Sequence, residues 1–278
     1  MDEPTTSTLT PIVVELGGAT RAPDATPRSW GAQLWRRYVV EVRDDANARA
    51  EAARAATRPG LLDARAAVVL VTVAVCLTFT EFATRGIRGS ELHQLGVWAL
   101  VQSAGYLVLP LVVTRFVLRS SLGDIGLGIR NVASHVREYA VLYAVAAPFV
   151  VAVSFSAAFQ DKYPFYDLAP GEGLSHRIWI WWVLYAVQFF ALETFFRGFL
   201  LHGLVPRLGY ASLFVMVVPY NMIHYGKPWP EAIAAIVGAL ALGSLSLRNR
   251  SIWWGAALHC TIAGTMDAFA LWHAGVIL

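Results

Sequence analysis

Two oppositely charged residues, Glu193 and Arg197, lie four positions apart inside a long apolar run. Residues at i and i+4 share one face of a helix, so the carboxylate and the guanidinium can pair. An ionisable side chain at membrane depth costs at least about 2.5–3.5 kcal/mol on insertion scales, and such residues commonly have a function. The alternative, for these two residues taken alone, is a structural ion pair that joins two helices.

Two histidines, His224 and His259, follow in later apolar runs. At 1.5 Å of rise per residue from the nearest turns, Glu193 lies roughly 18–20 Å deep, His224 about 22 Å and His259 roughly 12–14 Å. Neighbouring helices can therefore bring the three side chains together. Glu193 and His224 would then activate a water for attack on a carbonyl, and His259 would donate to the developing oxyanion. Each histidine alone can instead be a hydrogen-bonding partner between helices.

Two other kinds of site use the same residues or their neighbours. Glu193, His224 and His259 can form a His₂Glu zinc site with an open fourth position. No H-E-x-x-H spacing supports that site, so we rank it below metal-free chemistry and expect no cofactor. A cysteine protease using Cys260 ranks lower still, because adjacent residues of a helix do not face each other. Cys76 and Cys260 form no spaced pair, which argues against a disulfide framework.

The composition is that of a polytopic membrane protein. Of the 278 residues, 56% are hydrophobic and 15% are charged, and the mean hydropathy is +0.52. An ordinary soluble domain is roughly 45–50% apolar and about 25% charged. The net charge of +3 comes with arginines gathered in the N-terminal part and in certain loops, which indicates membrane topology rather than a nucleic-acid partner. We therefore expect an all-α helical bundle in a lipid bilayer.

The apolar runs predict about seven spans, with eight as the alternative count. Residues 1–28 are rich in Thr, Pro, Ala and Gly and are predicted to be a disordered cytoplasmic tail. Residues 29–60 are predicted to form an amphipathic juxtamembrane helix, either on an anionic leaflet or in solvent. The transmembrane domain follows at 61–278, with its motifs in 178–272. Its predicted spans are 64–82, 95–117, 139–159, 178–204, 211–224, 231–247 and 252–272.

The polar residues of the late spans resemble the motifs of a known family. The CAAX-processing and bacteriocin-processing (CPBP, or Abi) intramembrane proteases carry E-E-x-x-x-R, F-x-x-x-H and H-x-x-x-N on successive late spans. The chain is similar to this pattern in order and spacing over about 178–267. Further resemblance lies in the segment from Arg248 to Gly255 that leads to His259, and more weakly in Gly-Asp-Ile-Gly-Leu at 123–127.

The resemblance carries over residue by residue with three departures. Arg197, His224 and His259 match their motif positions, and Glu193 occupies the second glutamate. Leu192 stands where the family has its first glutamate, the usual catalytic base. Tyr220 replaces the motif Phe, and Ala263 replaces the Asn that is expected to help hold the oxyanion.

The resemblance implies a divergent branch of the family with a single motif glutamate. Glu193, His224, His259 and Arg197 would then be catalytic, and Glu231 or Asp267 would supply the missing polar group. The implied activity is an endopeptidase that cuts near a terminus of a membrane-associated protein or peptide. The expected location is a bacterial inner membrane with a cytoplasmic N-terminus, since short-loop arginines mark the cytoplasmic side.

Two non-protease functions are kept as alternatives. Leu192 and Ala263 favour an inactive family member that acts as a membrane scaffold, an immunity protein or a chaperone. A dead member would have no physical reason to keep several costly polar groups at depth, which favours the protease. A transporter ranks third because the chain shows no inverted repeat.

Overall fold

The computed structural model describes residues 29–129, 135–166 and 176–277, and helices are its only regular elements over these ranges. The first helix, α1, runs without a break through Trp30–Trp35, Arg36–Val40 and Glu41–Ala56. Seven longer or apolar helices follow: α2 Pro59–Ala83, α3 Glu91–Val117, α4 Val136–Ser154, α5 Arg177–Leu208, α6 Ala211–Met222, α7 Trp229–Asn249 and α8 Trp253–His273.

The predicted all-α polytopic bundle is confirmed. Helices α2, α3, α4, α5 and α7 are long and apolar enough to cross a membrane. Helix α6 has 12 residues and is shorter than a bilayer span, whereas α8 has 21 residues but carries His259 and Asp267 in its interior. These seven helices fall at the seven predicted positions.

Several predicted boundaries differ by four or five residues: α2 begins at Pro59 rather than 64, and α3 begins at Glu91 rather than 95. The third apolar run was expected to continue to residue 159, but α4 ends at Ser154. The Ser156 side chain accepts a hydrogen bond from the Phe159 amide and caps a separate short helix, Ala157–Gln160. An N-cap residue has non-helical backbone angles, so the capped helix is separate from the helix before it.

Helix α1 packs against one end of the bundle, which we call the proximal end; the opposite end is the distal end. Its buried face consists of Val42, Ala46 and Ala50. The two alanines are four residues apart, so the helix backbone can come close to its neighbours. The side chain of Asn47 accepts a hydrogen bond from the Tyr210 amide at 3.0 Å. The helix expected over 29–60 therefore packs on protein along one face, and the predicted tail over 1–28 lies outside the described residues.

Helix α5 is the centre of the bundle. Every residue from Ala191 to His202 is buried, and Thr194–His202 is wound as a π-helix. Most side chains around the circumference of this segment are apolar, as expected of a helix in a core. Gly198 lets the 3₁₀ turn Leu122–Ile125 lie directly against α5, because a Cβ there would be 2.8 Å from the Ile125 carbonyl oxygen.

Candidate active site

Glu193 and Arg197 form an ion pair in the interior of α5. Arg197 Nη1 lies 2.8 Å from Glu193 Oε1, and both side chains are 0% exposed. The spacing of four residues places both groups on one face, as predicted from the sequence. Both groups are shielded from water, and an unpaired charge there would be strongly destabilising. The ion pair avoids this, because each charge compensates the other.

His259 of α8 makes the second contact to the same carboxylate oxygen. Its Nδ1 lies 2.9 Å from Glu193 Oε1. A carboxylate accepts hydrogen bonds, so Nδ1 is assigned the proton and Nε2 is left as the basic nitrogen of the neutral ring. The ring stacks on Phe189 with 4.6 Å between centroids and 23° between planes. The His259 side chain is 16% exposed, so it reaches the bundle surface more than Glu193 does.

Gly255 allows α8 to approach Glu193 this closely. A Cβ at position 255 would lie 2.9 Å from Glu193 Oε2. That oxygen has no hydrogen-bond partner among the described residues. Sequence reasoning did not identify Gly255 or Phe189 as site residues, although Gly255 belongs to the segment before His259 that resembles the family.

His224 belongs to the same region but does not contact Glu193 by any described hydrogen bond. The Tyr220 ring contacts both Arg197 and His224: the Arg197 guanidinium sits 4.0 Å from its centroid, and the His224 ring is 4.8 Å from it. His224 Nδ1 is 2.8 Å from the Tyr220 carbonyl oxygen. A carbonyl can only accept, so Nδ1 carries the proton in this ring too.

Glu231 and Asp267, the predicted auxiliary acids, bond to other partners on the distal side of the site. Glu231 accepts from the Tyr163 hydroxyl at 2.9 and 3.0 Å and lies 3.5 Å from Lys227 Nζ. Asp267 accepts from Trp182 Nε1 at 3.1 Å. Burial lowers the pKa of Lys227 to about 8, against the opposing effect of Glu231. No described hydrogen bond or ion pair joins either acid to Glu193 or His259.

Two of the three altered motif positions, Leu192 and Ala263, are apolar and buried. Leu192 packs in the main apolar core of the bundle. Ala263 is also buried, one turn after His259 on α8. Neither position can donate or accept a side-chain hydrogen bond, so the polar chemistry of the first motif rests on Glu193 and Arg197 and that of the third motif on His259.

The geometry also bears on the residues of the two lower-ranked alternatives, the zinc site and the Cys260 protease. Among the residues that the structure describes, no three His, Cys, Asp or Glu side chains come together as a metal-binding group. This includes Glu193, His224 and His259, the ligands of the alternative zinc site. The Cys260 sulfur lies 3.8 Å from the Ala186 carbonyl oxygen, to which its thiol donates.

Comparison with known proteins gives a match to a family model over the segment that carries the site. Residues 174–265 match a family model described as "Type II CAAX prenyl endopeptidase Rce1-like". No curated protein and no solved structure matches the chain. The matched segment contains Glu193, Arg197, His224 and His259, the residues on which the motif resemblance was based. Over residues 174–265, the chain is therefore similar to the Rce1-like family of CAAX prenyl endopeptidases.

Proposed function

We propose that this protein is an intramembrane endopeptidase in which Glu193 and His259 activate the attacking water. One observation carries the proposal: Glu193 Oε1 lies 2.9 Å from His259 Nδ1 and 2.8 Å from Arg197 Nη1 inside the bundle. A carboxylate that holds the Nδ1 proton of an imidazole orients the ring and stabilises the imidazolium that forms when Nε2 takes a proton.

The assigned reaction is hydrolysis of a peptide bond. His259 Nε2 removes a proton from water while the water oxygen bonds to the carbonyl carbon. The tetrahedral intermediate collapses when the carbon–nitrogen bond breaks, and the proton on His259 passes to the leaving amine. Arg197 holds the carboxylate and compensates its charge. We assign His224 a supporting role, since its Nε2 is free of the proton and can accept a hydrogen bond from the same water.

This assignment divides the roles differently from the sequence-based expectation. That expectation paired Glu193 with His224 and gave His259 the oxyanion. The described hydrogen bond of Glu193 is to His259 instead. We therefore assign His259 as the general base, with Glu193 as the group that orients it.

The substrate class follows from the membrane setting and from the family. Five helices of the bundle are apolar and long enough to span a bilayer, and α5, which carries Glu193, is one of them. We therefore infer that a substrate reaches the site from the membrane. We infer a membrane-associated protein or peptide that is cut near one terminus. We also assign the proximal end to the cytoplasmic side, because it carries Arg65, Arg248 and Arg250 next to span ends.

The test is cleavage by the purified full chain, reconstituted in vesicles, of a prenylated peptide that ends in a CAAX sequence. Products are identified by mass spectrometry, and a panel of transmembrane peptides serves as the second substrate set. Removing a general base or its orienting carboxylate is expected to lower the rate by on the order of a hundredfold or more. We expect that loss in Glu193→Gln and in His259→Gln.

Two variants at exposed distal positions are matched controls. Glu81 pairs with Arg85 at the end of α2, and His93 lies exposed near the start of α3. Glu81→Gln and His93→Gln should cleave at the wild-type rate. Full activity of a folded His259→Gln variant would refute the assigned base.

The second candidate function is an inactive family member that serves as a membrane scaffold. Two observations favour it: Glu193 is 0% exposed, and Leu192 and Ala263 are apolar. An ion pair that only holds the helices together needs no access to water. In that case the wild type cleaves none of the peptides, and Glu193→Gln lowers the melting temperature without any other effect.

A further inference from the structure

A cavity of about 370 Å³ lies at the proximal end, away from Glu193 and His259. Three arginines contribute to its lining: Arg49 of α1, Arg65 of α2 and Arg250, which follows α7. The remaining wall is largely apolar and includes Phe199 and Val205 of α5. The cavity thus joins a cationic rim to an apolar wall, and the proposed hydrolysis does not account for it.

Of the three arginines at the cavity, Arg49 is the one with buried nitrogen atoms that lack a hydrogen-bond partner among the described residues. These atoms are Nε and Nη2. Asp45 Oδ2 lies 3.1 Å from Nε, close enough to pair by charge but without the alignment of a hydrogen bond. Burial lowers the pKa of the Arg49 guanidinium; Asp45 opposes this shift and Arg250 adds to it. An anion in the cavity would satisfy these donors and stabilise the charged guanidinium.

The other charged groups at the cavity have partners of their own. Arg65 donates to the Leu118 carbonyl and to Ser120 Oγ, both at 2.6 Å. Arg250 donates to Asp45 at 3.1 Å. Asp124 is the carboxylate in the lining, and it accepts from the Ser121 amide within a capping box. Three arginines stand against two carboxylates, Asp124 in the lining and Asp45 beside it, which leaves an excess of one positive charge.

The position of the cavity along the bundle axis indicates what kind of anion would bind there. Spans α3, α5 and α7 end at Val117, Leu208 and Asn249, and α2 begins at Pro59. The lining residues Arg65 and Arg250 therefore lie where four spans leave the apolar layer. This is the level of the lipid head groups. Thr114, near the end of α3, adds a buried hydroxyl without a partner among the described residues.

We propose that this cavity is a phosphate-binding site, built by Arg49, Arg65 and Arg250 with the hydroxyl of Thr114. Arginine pairs with phosphate through parallel hydrogen bonds, which suits the unpartnered atoms of Arg49. The phosphate belongs either to the head group of an anionic phospholipid, whose apolar part would lie along Phe199, or to free inorganic phosphate. In either case the ligand joins α1 to the bundle.

The experiment compares melting temperatures and bound ligand for the purified full chain. In detergent, sodium phosphate is added against sodium chloride at equal ionic strength. In vesicles, equimolar phosphatidylglycerol and phosphatidylcholine are compared with phosphatidylcholine alone. Native mass spectrometry then counts the lipid or phosphate that stays bound.

The variants separate this site from general attraction between arginines and anionic lipids. Arg49→Gln should weaken binding about tenfold or more, since a charge-assisted contact is lost. Arg49→Lys should be intermediate, because it keeps the charge without the planar fork, and it serves as the readout if Arg49→Gln does not fold. Arg43→Gln is the matched control: Arg43 lies on the same helix, is about half exposed and pairs with its neighbour Asp44.

Each outcome decides the proposal. Stabilisation of the wild type and Arg43→Gln by phosphatidylglycerol alone, with loss in Arg49→Gln, establishes a phospholipid head group. Stabilisation by sodium phosphate with the same dependence on Arg49 establishes a free-phosphate site. The proposal is overturned if neither ligand stabilises the wild type, or if Arg49→Gln and Arg43→Gln respond alike.

Discussion

Replacing Gly255 by alanine should disturb the active site without removing any polar group. The added Cβ would lie 2.9 Å from Glu193 Oε2, about 0.5 Å short of the ordinary contact distance of 3.4 Å. Glu193 cannot easily yield, because its other oxygen is held by Arg197 and His259. Either α8 moves away from α5 or the carboxylate rotates, and both changes lengthen the bond to His259.

The magnitude can be separated from the intrinsic effect of alanine on a helix. An alanine in a helix interior is favoured over glycine by about 1 kcal/mol. Overpacking of a core costs about 1–3 kcal/mol. Gly264 lies on the same helix and has open space around its Cβ position. Gly264→Ala therefore gains the propensity without the clash, and the difference between the two variants isolates the clash.

The assay is thermal unfolding in detergent together with cleavage of the prenylated peptide. Gly255→Ala should melt roughly 2–10 °C below Gly264→Ala, as expected for about 1–3 kcal/mol in a chain of this size. Its cleavage rate should fall by on the order of tenfold to a hundredfold, because misplacing a catalytic group by 1 Å costs about a hundredfold. Equal melting temperatures and equal rates for the two variants would show that α8 does not approach Glu193 as described.

Three further predictions concern the surroundings of the site. Tyr220→Leu should lower the free energy of unfolding by about 2 kcal/mol, because it removes the ring under the buried Arg197 guanidinium. Tyr220→Phe keeps the ring and is the control. Equal melting temperatures for these two variants would contradict the prediction. The pKa of Lys227, about 8, lies below its ordinary value of 10.5, so the unfolded chain binds more protons between these values and stability should rise with pH across that window. Melting temperatures of Lys227→Met should lack this rise, and an unchanged pH dependence would argue against it. Gly198→Ala should lower the free energy of unfolding by about 1–3 kcal/mol, since its Cβ would lie 2.8 Å from the Ile125 carbonyl oxygen. Gly238→Ala is the control, because the space around its Cβ position is open. Similar melting curves for the two variants would refute the contact.

The class of protein and the helix positions followed from local patterns. Hydropathy along the chain predicted seven apolar segments, and the structure has helices at those seven positions. The pairing of Glu193 with Arg197 was also predictable, because a spacing of four residues on one helix fixes their relation without any tertiary contact. The family resemblance rested on the same local spacing and on the order of three short motifs.

Contacts between helices required the tertiary structure. Counting residues gave the depth of Glu193, His224 and His259, because the rise per residue is constant. It did not give the rotation of each helix about its axis, which decides which imidazole faces the carboxylate. His259 bonds to Glu193, whereas His224 bonds to the Tyr220 carbonyl oxygen and contacts the Tyr220 ring.

The same distinction explains the features that the sequence left unrecognised. Gly255 acquires its role only because α8 lies against Glu193. Arg49, Arg65 and Arg250 are far apart in the chain, and only the packing of α1 on the bundle brings them to one cavity. Local spacing thus determined the helices and the ion pair within one of them. The side chains that meet across helices depend on rotation and close approach, which only the assembled bundle decides.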